Sequence, residues 1–315
     1  MRALRWDGTR LALARDVPDP VPGRGEALVR VHLAGICRTD LEITRGYLRF
    51  RGTPGHEWVG HVVAAEDPAL AGQRVVGEIN LACGACSGCA AGLGRHCPTR
   101  RVTGIVEADG ALADFLVVPQ ANLHRVPDAV PDRAAVFTEP LAAAFEVLEQ
   151  VPPVAGERVV VLGDGKLGLL VAQVLREAGA TVRLAGRHED KLRRARALGI
   201  DTGAPAPGAD LVVDATGAVD GLATALAVVR PQGIVVLKTT VTAPHRLDLA
   251  PAVINEVTIV GSRCGPFPPA LAALVAGRIS VAPLIDAVYR LDDAAAAFAR
   301  AAAPSTLKVL VDSQA

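Results

Sequence analysis

Over about the first 135 residues the apolar positions come in short alternating or β-rich runs, divided by Gly and Pro. Ala27-Leu28-Val29-Arg30-Val31, residues 59–64 and Phe115-Leu116-Val117-Val118 are examples. They predict an all-β unit. At Glu139 the texture changes: residues 141–148 are apolar at helical spacing after a proline, and strand and helix patterns then alternate. Strands are predicted at 158–162, 181–185, 211–213, 234–237 and 257–260, and helices at 167–178, 189–198, 219–229 and 269–276. The strands are nearly continuous aliphatic runs, as expected when both faces are covered, so this half predicts a doubly wound parallel sheet. Residues 201–208 form the clear loop-like interruption. After Gly277 the mixed segments, including Leu307-Lys308-Val309-Leu310-Val311, are too short for a domain and are expected to rejoin the first one.

Composition sets limits. With 315 residues, 50% of them hydrophobic, the chain can build two cores. Its 33 basic and 33 acidic residues cancel and the arginines are scattered, which argues against nucleic acid as a partner. No apolar run reaches the about 18 residues of a membrane helix. The opening Met1-Arg2-Ala3-Leu4-Arg5-Trp6-Asp7 is too polar for a signal peptide, so a cytoplasmic location is expected.

Cys83, Cys86, Cys89 and Cys97 are spaced C-x2-C-x2-C-x7-C in a segment, 82–98, made largely of small residues that no core could order. Four thiolates favour Zn2+ and fill its tetrahedral shell, so a structural zinc is expected. Two disulfides are the alternative and require an oxidising compartment.

Directly after the 158–162 strand stands Gly163-Asp164-Gly165-Lys166-Leu167-Gly168, a G-x-G-x-x-G turn opening an amphipathic helix. In that position its glycines let a dinucleotide pyrophosphate approach the backbone at a helix start, although a glycine-rich packing turn would read the same way. The 181–185 strand ends in Gly186-Arg187, with no acid at its tip for the ribose of NAD. A carboxylate would repel a 2′-phosphate there and an arginine attracts it, so NADP(H) is expected over NAD(H), with Gly186, Arg187 and His188 at the phosphate. A solvated Arg187 is the competing reading.

Three further residues stand in telling contexts: Cys37 in Gly35-Ile36-Cys37-Arg38-Thr39-Asp40, His56 in Gly55-His56-Glu57-Trp58-Val59-Gly60, and Glu139 in Thr138-Glu139-Pro140-Leu141. Singly, each has an ordinary structural explanation. Together with the cysteine lobe and the dinucleotide turn, they resemble the zinc-dependent medium-chain alcohol and polyol dehydrogenases, over essentially the whole chain. That family's G-H-E-x-x-G signature is matched at 55–60 and its Cys-x-Thr-Asp at 37–40. Glu139-Pro140 stands where alcohol dehydrogenase has its second cysteine ligand, which looks like the branch of sorbitol, glucose and related polyol dehydrogenases. By that resemblance Cys37, His56 and Glu139 hold a catalytic zinc, with Glu57 as an exchanging or alternative ligand, giving two Zn2+ per chain. The implied fold is α/β plus β. A GroES-like catalytic domain (1–138, rejoined by 278–315) is interrupted by a Rossmann domain (139–277), with the active site in the cleft between them. Arg38 matches a position that touches the cofactor pyrophosphate in some members; a surface arginine is the alternative.

The resemblance implies hydride transfer between a polar alcohol and the nicotinamide. Ionising an alcohol at pH 7 costs roughly 12 kcal/mol, at 1.36 kcal/mol per pKa unit. A tri-ligated zinc removes most of that cost. Thr39 is the natural first carrier of the released proton. Some relatives have a relay histidine where this chain has Glu42, so Glu42, the ribose and water remain open as exits. Glu78-Ile79-Asn80 favours a hydroxylated substrate, and aromatics at 3% argue against an aryl pocket. Arg49 and Arg51 read as solvated or anion-binding, Lys238 as a cofactor contact or an ion pair, and Cys264 as a packed or spare thiol. The expected partners are a small polar alcohol or carbonyl compound and identical subunits in a dimer or tetramer. The competing functions are an NADPH-dependent carbonyl reductase of the same fold and a zinc-dependent binding protein; a zinc-free quinone reductase would lack ligands at Cys37 and His56.

Overall fold

The computed structural model describes residues 1–241 and 246–315. The chain forms two units, Met1–Glu139 with Ile285–Ala315, and Pro140–Leu284.

The first unit is built on a seven-stranded sheet in the order Leu123–Arg125, Arg74–Gly77, Glu57–Ala65, Glu26–Ile36, Lys308–Asp312, Ile285–Arg290, with Phe115–Pro119 also paired to Glu26–Ile36. Only the last two strands of that order run parallel; the other pairs are antiparallel. The segment after Leu284 thus returns to the sheet begun by the first residues. Alternation along Glu26–Ile36 puts Ala27, Val29 and Val31 into a core with Trp58, Val62, Val75, Leu116 and Phe298. From Val31 onward nearly every position is buried, because both faces of that strand end are covered. A two-stranded hairpin, Ala3–Trp6 with Leu11–Ala14, and a three-stranded sheet flanking the cysteine lobe complete the unit. The hairpin gave no strong signal in the sequence, its four-residue strands being too short to show a period.

The second unit is a six-stranded parallel sheet in the order Asp201–Thr202, Thr181–Ala185, Arg158–Leu162, Ala209–Asp214, Val229–Leu237, Thr258–Gly261. Every expected strand is present within a few residues. The 201–208 loop needs correction: its first two residues pair with Arg183 and Leu184 as a short edge strand. The order reverses beside Arg158–Leu162, at the switch point where open α/β sheets bind ligands.

Candidate functional site

Strand pairing brings the first ligand set together. Cys37 caps the Arg38–Ile43 helix immediately after the Glu26–Ile36 strand, and His56 immediately precedes the Glu57–Ala65 strand. Those strands pair antiparallel with Gly35 opposite Glu57, so the end of one meets the start of the other. One ligand atom each from Cys37, His56 and Glu57 lies within 4.8 Å of the others. Glu139, expected as the third member, opens the Thr138–Gln150 helix and does not share that 4.8 Å set. The clustered carboxylate is Glu57, carried in beside His56 by the same strand.

Asp40 orients the set. Its Oδ2 accepts the Cys37 backbone N–H at 2.7 Å; its Oδ1 accepts the Gly55 N–H at 3.1 Å and lies 3.3 Å from His56 Nδ1. A carboxylate behind an imidazole fixes its tautomer and presents the other ring nitrogen to a metal. Burial works against a charged His56, but Asp40 and Cys37 outweigh it and hold its pKa well above the usual value. A cation suits such a setting, and the soft and borderline donors of Cys37 and His56 suit zinc. Gly55 needs to be glycine: φ is +102°, and a Cβ would approach Leu112 to 2.9 Å.

Lys308 joins the site without belonging to any of the matched motifs. It is 0% exposed and ion-paired with Glu57, also 0% exposed, and its Nζ lies 5.3 Å from the centroid of the Phe137 ring. Burial pushes its ammonium down to about 8, against the pull of Cys37 and Asp40. A Cβ on Gly35 would stand 2.7 Å from Glu57 Oε2 and 2.8 Å from Lys308 Nζ, so this strand glycine makes room for the pair. The available signal was a lysine inside the apolar run 307–311, in a chain with few lysines.

The second set is Cys83, Cys86, Cys89 and Cys97, whose sulfurs also lie within 4.8 Å of one another. Cys86 and Cys89 are 3.4 Å apart, and Cys83–Cys89 and Cys86–Cys97 are each 3.9 Å. A zinc–sulfur bond of about 2.3 Å gives a tetrahedral edge of about 3.8 Å, whereas a disulfide needs about 2.05 Å. The spacing fits an ion, not two disulfides, and the cysteines are free. Hydrogen bonds from the Ala85 backbone, the Thr99 hydroxyl and the Cys86 backbone bring the Cys83 thiol down to about 6, while Cys86 pushes Cys89 up to about 12.

In the second unit the glycine turn fits a pyrophosphate. Gly163 has φ +113° and a Cβ there would meet Ala215 O at 2.6 Å. A Cβ on Gly168 would strike the Gly163 carbonyl, and one on Gly165 would meet nothing within 4 Å. The first glycine therefore makes the turn, the last lets helix and strand close, and the middle one leaves the backbone open to a ligand. Lys166 and Leu167 begin the Lys166–Glu177 helix, with Gly165 as its N-cap. The Arg187 guanidinium is 80% exposed and 3.7 Å from Asp220.

The remaining candidates are placed as follows. Thr39 is half-buried in the Arg38–Ile43 helix. Exposed Arg38 pairs with Glu42 at 2.8 Å, and Arg45 holds the same carboxylate at 2.9 Å. Glu78 accepts from His124 Nε2 at 3.0 Å, and Asn80 is buried in the Asn80–Leu81 strand. Arg49 and Arg51 are exposed. Lys238 donates to Ser262 Oγ at 3.1 Å and to the Arg263 carbonyl at 2.5 Å, contacts that tie the ends of neighbouring strands. Cys264 is half-buried, outside both metal sets.

Comparison with known proteins agrees with this geometry. Residues 23–128 match the alcohol dehydrogenase GroES-like domain and residues 167–276 the zinc-binding dehydrogenase domain. D-altritol 5-dehydrogenase of Agrobacterium fabrum is 33% identical over 98% of each chain. Among solved structures, an alcohol dehydrogenase of Escherichia coli CFT073 complexed with NADH is 28% identical, covers 99% of each chain and superposes with a TM-score of 0.91. A zinc-binding dehydrogenase of Sinorhizobium meliloti 1021 bound to NADP is 29% identical over 99% of this chain and 98% of its own, with a TM-score of 0.90. The metal-ligand set in a GroES-like unit, the glycine turn in a Rossmann unit and full-length similarity converge: this chain is an enzyme of the zinc-dependent medium-chain alcohol and polyol dehydrogenase family.

Proposed function

We propose that the enzyme oxidises a polyol, sugar or similarly hydroxylated alcohol, with NADP(H) preferred over NAD(H) and two zinc ions per chain. The observation that carries this reading is the convergence of Cys37, His56 and Glu57 within 4.8 Å, with Asp40 locked behind the histidine. Cys37 and His56 hold the catalytic ion, with a carboxylate from Glu57 or Glu139; Cys83, Cys86, Cys89 and Cys97 hold the structural one. Bound there, zinc supplies a Lewis acid that eases loss of the hydroxyl proton, and the nicotinamide supplies the hydride acceptor. Asp40 keeps the imidazole oriented, and Lys308 holds the Glu57 carboxylate by its ion pair. Thr39 takes up the substrate proton and passes it to water or the cofactor ribose, since Arg38 and Arg45 already engage Glu42. The polar side chains of Glu78 and Asn80 support a hydroxylated substrate, and Arg187 supports the 2′-phosphate.

A panel of polyols, sugars, hydroxy acids and simple alcohols, each with NADP and NAD and followed by nicotinamide absorbance, tests the reaction; running carbonyl compounds with NADPH tests the reverse direction. Zinc analysis should give two ions per chain. Tighter binding of NADH than of NADPH would overturn the cofactor assignment, and no turnover with any hydroxylated compound would overturn the substrate class. Thr39→Ala should lower turnover about 100-fold if its hydroxyl begins the proton path. Wild-type turnover in that variant would remove Thr39 from the reaction.

Cytosolic residence is part of the same proposal, supported by thiols spaced for metal. So is assembly into a homo-oligomer. Thr258–Gly261 ends the parallel sheet, and Ile259 with nearby Val253 and Ile254 leaves apolar surface exposed at that edge.

A further inference from the structure

Asp164, the residue between the first two glycines of the turn, is used in a way that glycine-turn geometry does not require. Its side chain leaves the turn and reaches the loop after the neighbouring Thr181–Ala185 strand. There Oδ2 accepts the backbone N–H of Arg187 at 2.6 Å and of His188 at 2.7 Å, and the carboxylate oxygens lie 3.0 and 3.1 Å from His188 Nδ1. Residue 186 must be glycine for this to happen, because a Cβ there would run into the Asp164 side chain. Asp164 is only 6% exposed. Burial raises its pKa, but the His188 amide and imidazole and the Arg187 amide more than offset that, and its pKa lies below the ordinary carboxylate value. A charge is therefore held at the tip of the second strand by a residue that belongs to the first.

That tip is where dinucleotide folds of this kind read the adenine ribose, through a carboxylate on the 2′-hydroxyl or a cation on the 2′-phosphate. The strand Thr181–Ala185 supplies no acid of its own. We propose that Asp164 is a cofactor-selectivity residue, delivering from the glycine turn the carboxylate that the second strand lacks and opposing Arg187 at the 2′ position. The inference rests on the dinucleotide-binding reading, and it deepens it: the site carries two opposed determinants. Arg187 attracts a 2′-phosphate from the exposed side, its guanidinium 3.7 Å from Asp220. Asp164 occupies the Arg187 and His188 amides that would otherwise be free for phosphate oxygens, and repels the phosphate charge. Against NAD(H) the same carboxylate is an acceptor for a ribose hydroxyl.

The test is equilibrium binding to the zinc-loaded enzyme, read by nicotinamide fluorescence for NADPH and NADH and by competition with adenosine 2′,5′-bisphosphate and 5′-AMP. Asp164→Asn keeps the shape and an acceptor but removes the charge. It should raise the preference for NADPH over NADH, and for the bisphosphate over 5′-AMP, by about 10- to 30-fold, as expected for removal of a like charge a few ångströms away in a partly screened site. Asp164→Ser, a short neutral acceptor, is the second variant and should shift both ratios in the same direction. A change in the two preferences of less than about threefold in the folded variants, or an equal loss of all four ligands as a purely structural cap would give, overturns the proposal. The wild-type ratio answers a separate question: if wild type favours NADH, the NADP(H) preference fails while the shift in Asp164→Asn still decides the role of Asp164.

Discussion

Replacing Lys308 with methionine is expected to destabilise the first unit by about 3–5 kcal/mol, the cost of removing one partner from a buried ion pair. The large size comes from what stays behind. Glu57 is fully buried in the same small space as Cys37, Asp40 and His56, so in the zinc-free enzyme loss of the ammonium leaves His56 as the one cationic side chain of the set against the acidic groups. Methionine fills much of the lysine volume and keeps contact with Phe137, which separates loss of charge from loss of packing. In urea, where small proteins lose about 1–3 kcal/mol per molar, the midpoint should fall by more than 1 M. Adding Glu57→Gln should restore most of the loss, because both charges of the buried pair are then removed together. A single variant within about 1 kcal/mol of wild type would show that the pair has no stabilising role.

The pair also shows where local sequence reading stops. Period and punctuation located five of the six strands of the parallel sheet, because each of those is a nearly continuous apolar run between Gly- or Pro-marked breaks. Two-residue strands such as Asp201–Thr202 are too short to have a period. In the candidate site, Cys37 and His56 were legible through the motifs that carry the family resemblance, and the structure places them together with Glu57. Asp40 lay inside the matched motif, but its role depends on helix capping that aims one carboxylate at both Cys37 and His56. Lys308 and Glu57 stand on strands that both flank Glu26–Ile36, and no local pattern couples residues so distant along the chain. Asp164 is similar, since a polar residue in a glycine turn reads as a turn former until its reach to Arg187 and His188 is seen. Sequence motifs marked the ligand-type side chains; the residues that orient them emerged only from tertiary geometry.

Cys97→Ser is expected to remove one of the two proposed zinc ions and to release residues 82–98 as a protease-sensitive loop, while the seven-stranded sheet stays folded. Within 82–98 Cys97 is the sole buried residue, and Leu93 is more than half exposed, so hydrophobic burial cannot hold the segment. The backbone bonds inside the segment close single local turns, such as Ala90 N–H to Cys86 O at 3.0 Å and Cys97 N–H to Gly94 O at 3.0 Å, and others run to the sulfurs themselves, Cys83 N–H to Cys97 Sγ at 3.5 Å and Cys89 N–H to Cys86 Sγ at 3.4 Å; short turns of this kind are marginal on their own. The metal is left to order the lobe, with a binding free energy on the order of 10 kcal/mol in small zinc peptides. The segment is spliced between the strands Asn80–Leu81 and Arg101–Thr103, whose pairing survives its unfolding because Asn80 and Leu81 are bonded opposite Val102 and Arg101. Limited proteolysis with mass mapping should therefore yield new cuts confined to 82–98, and zinc analysis should fall from two ions to one. His56→Ala gives the contrasting pattern, losing the other ion and the activity without opening the lobe. An uncut lobe with full zinc content in Cys97→Ser would mean that something other than the metal holds these residues.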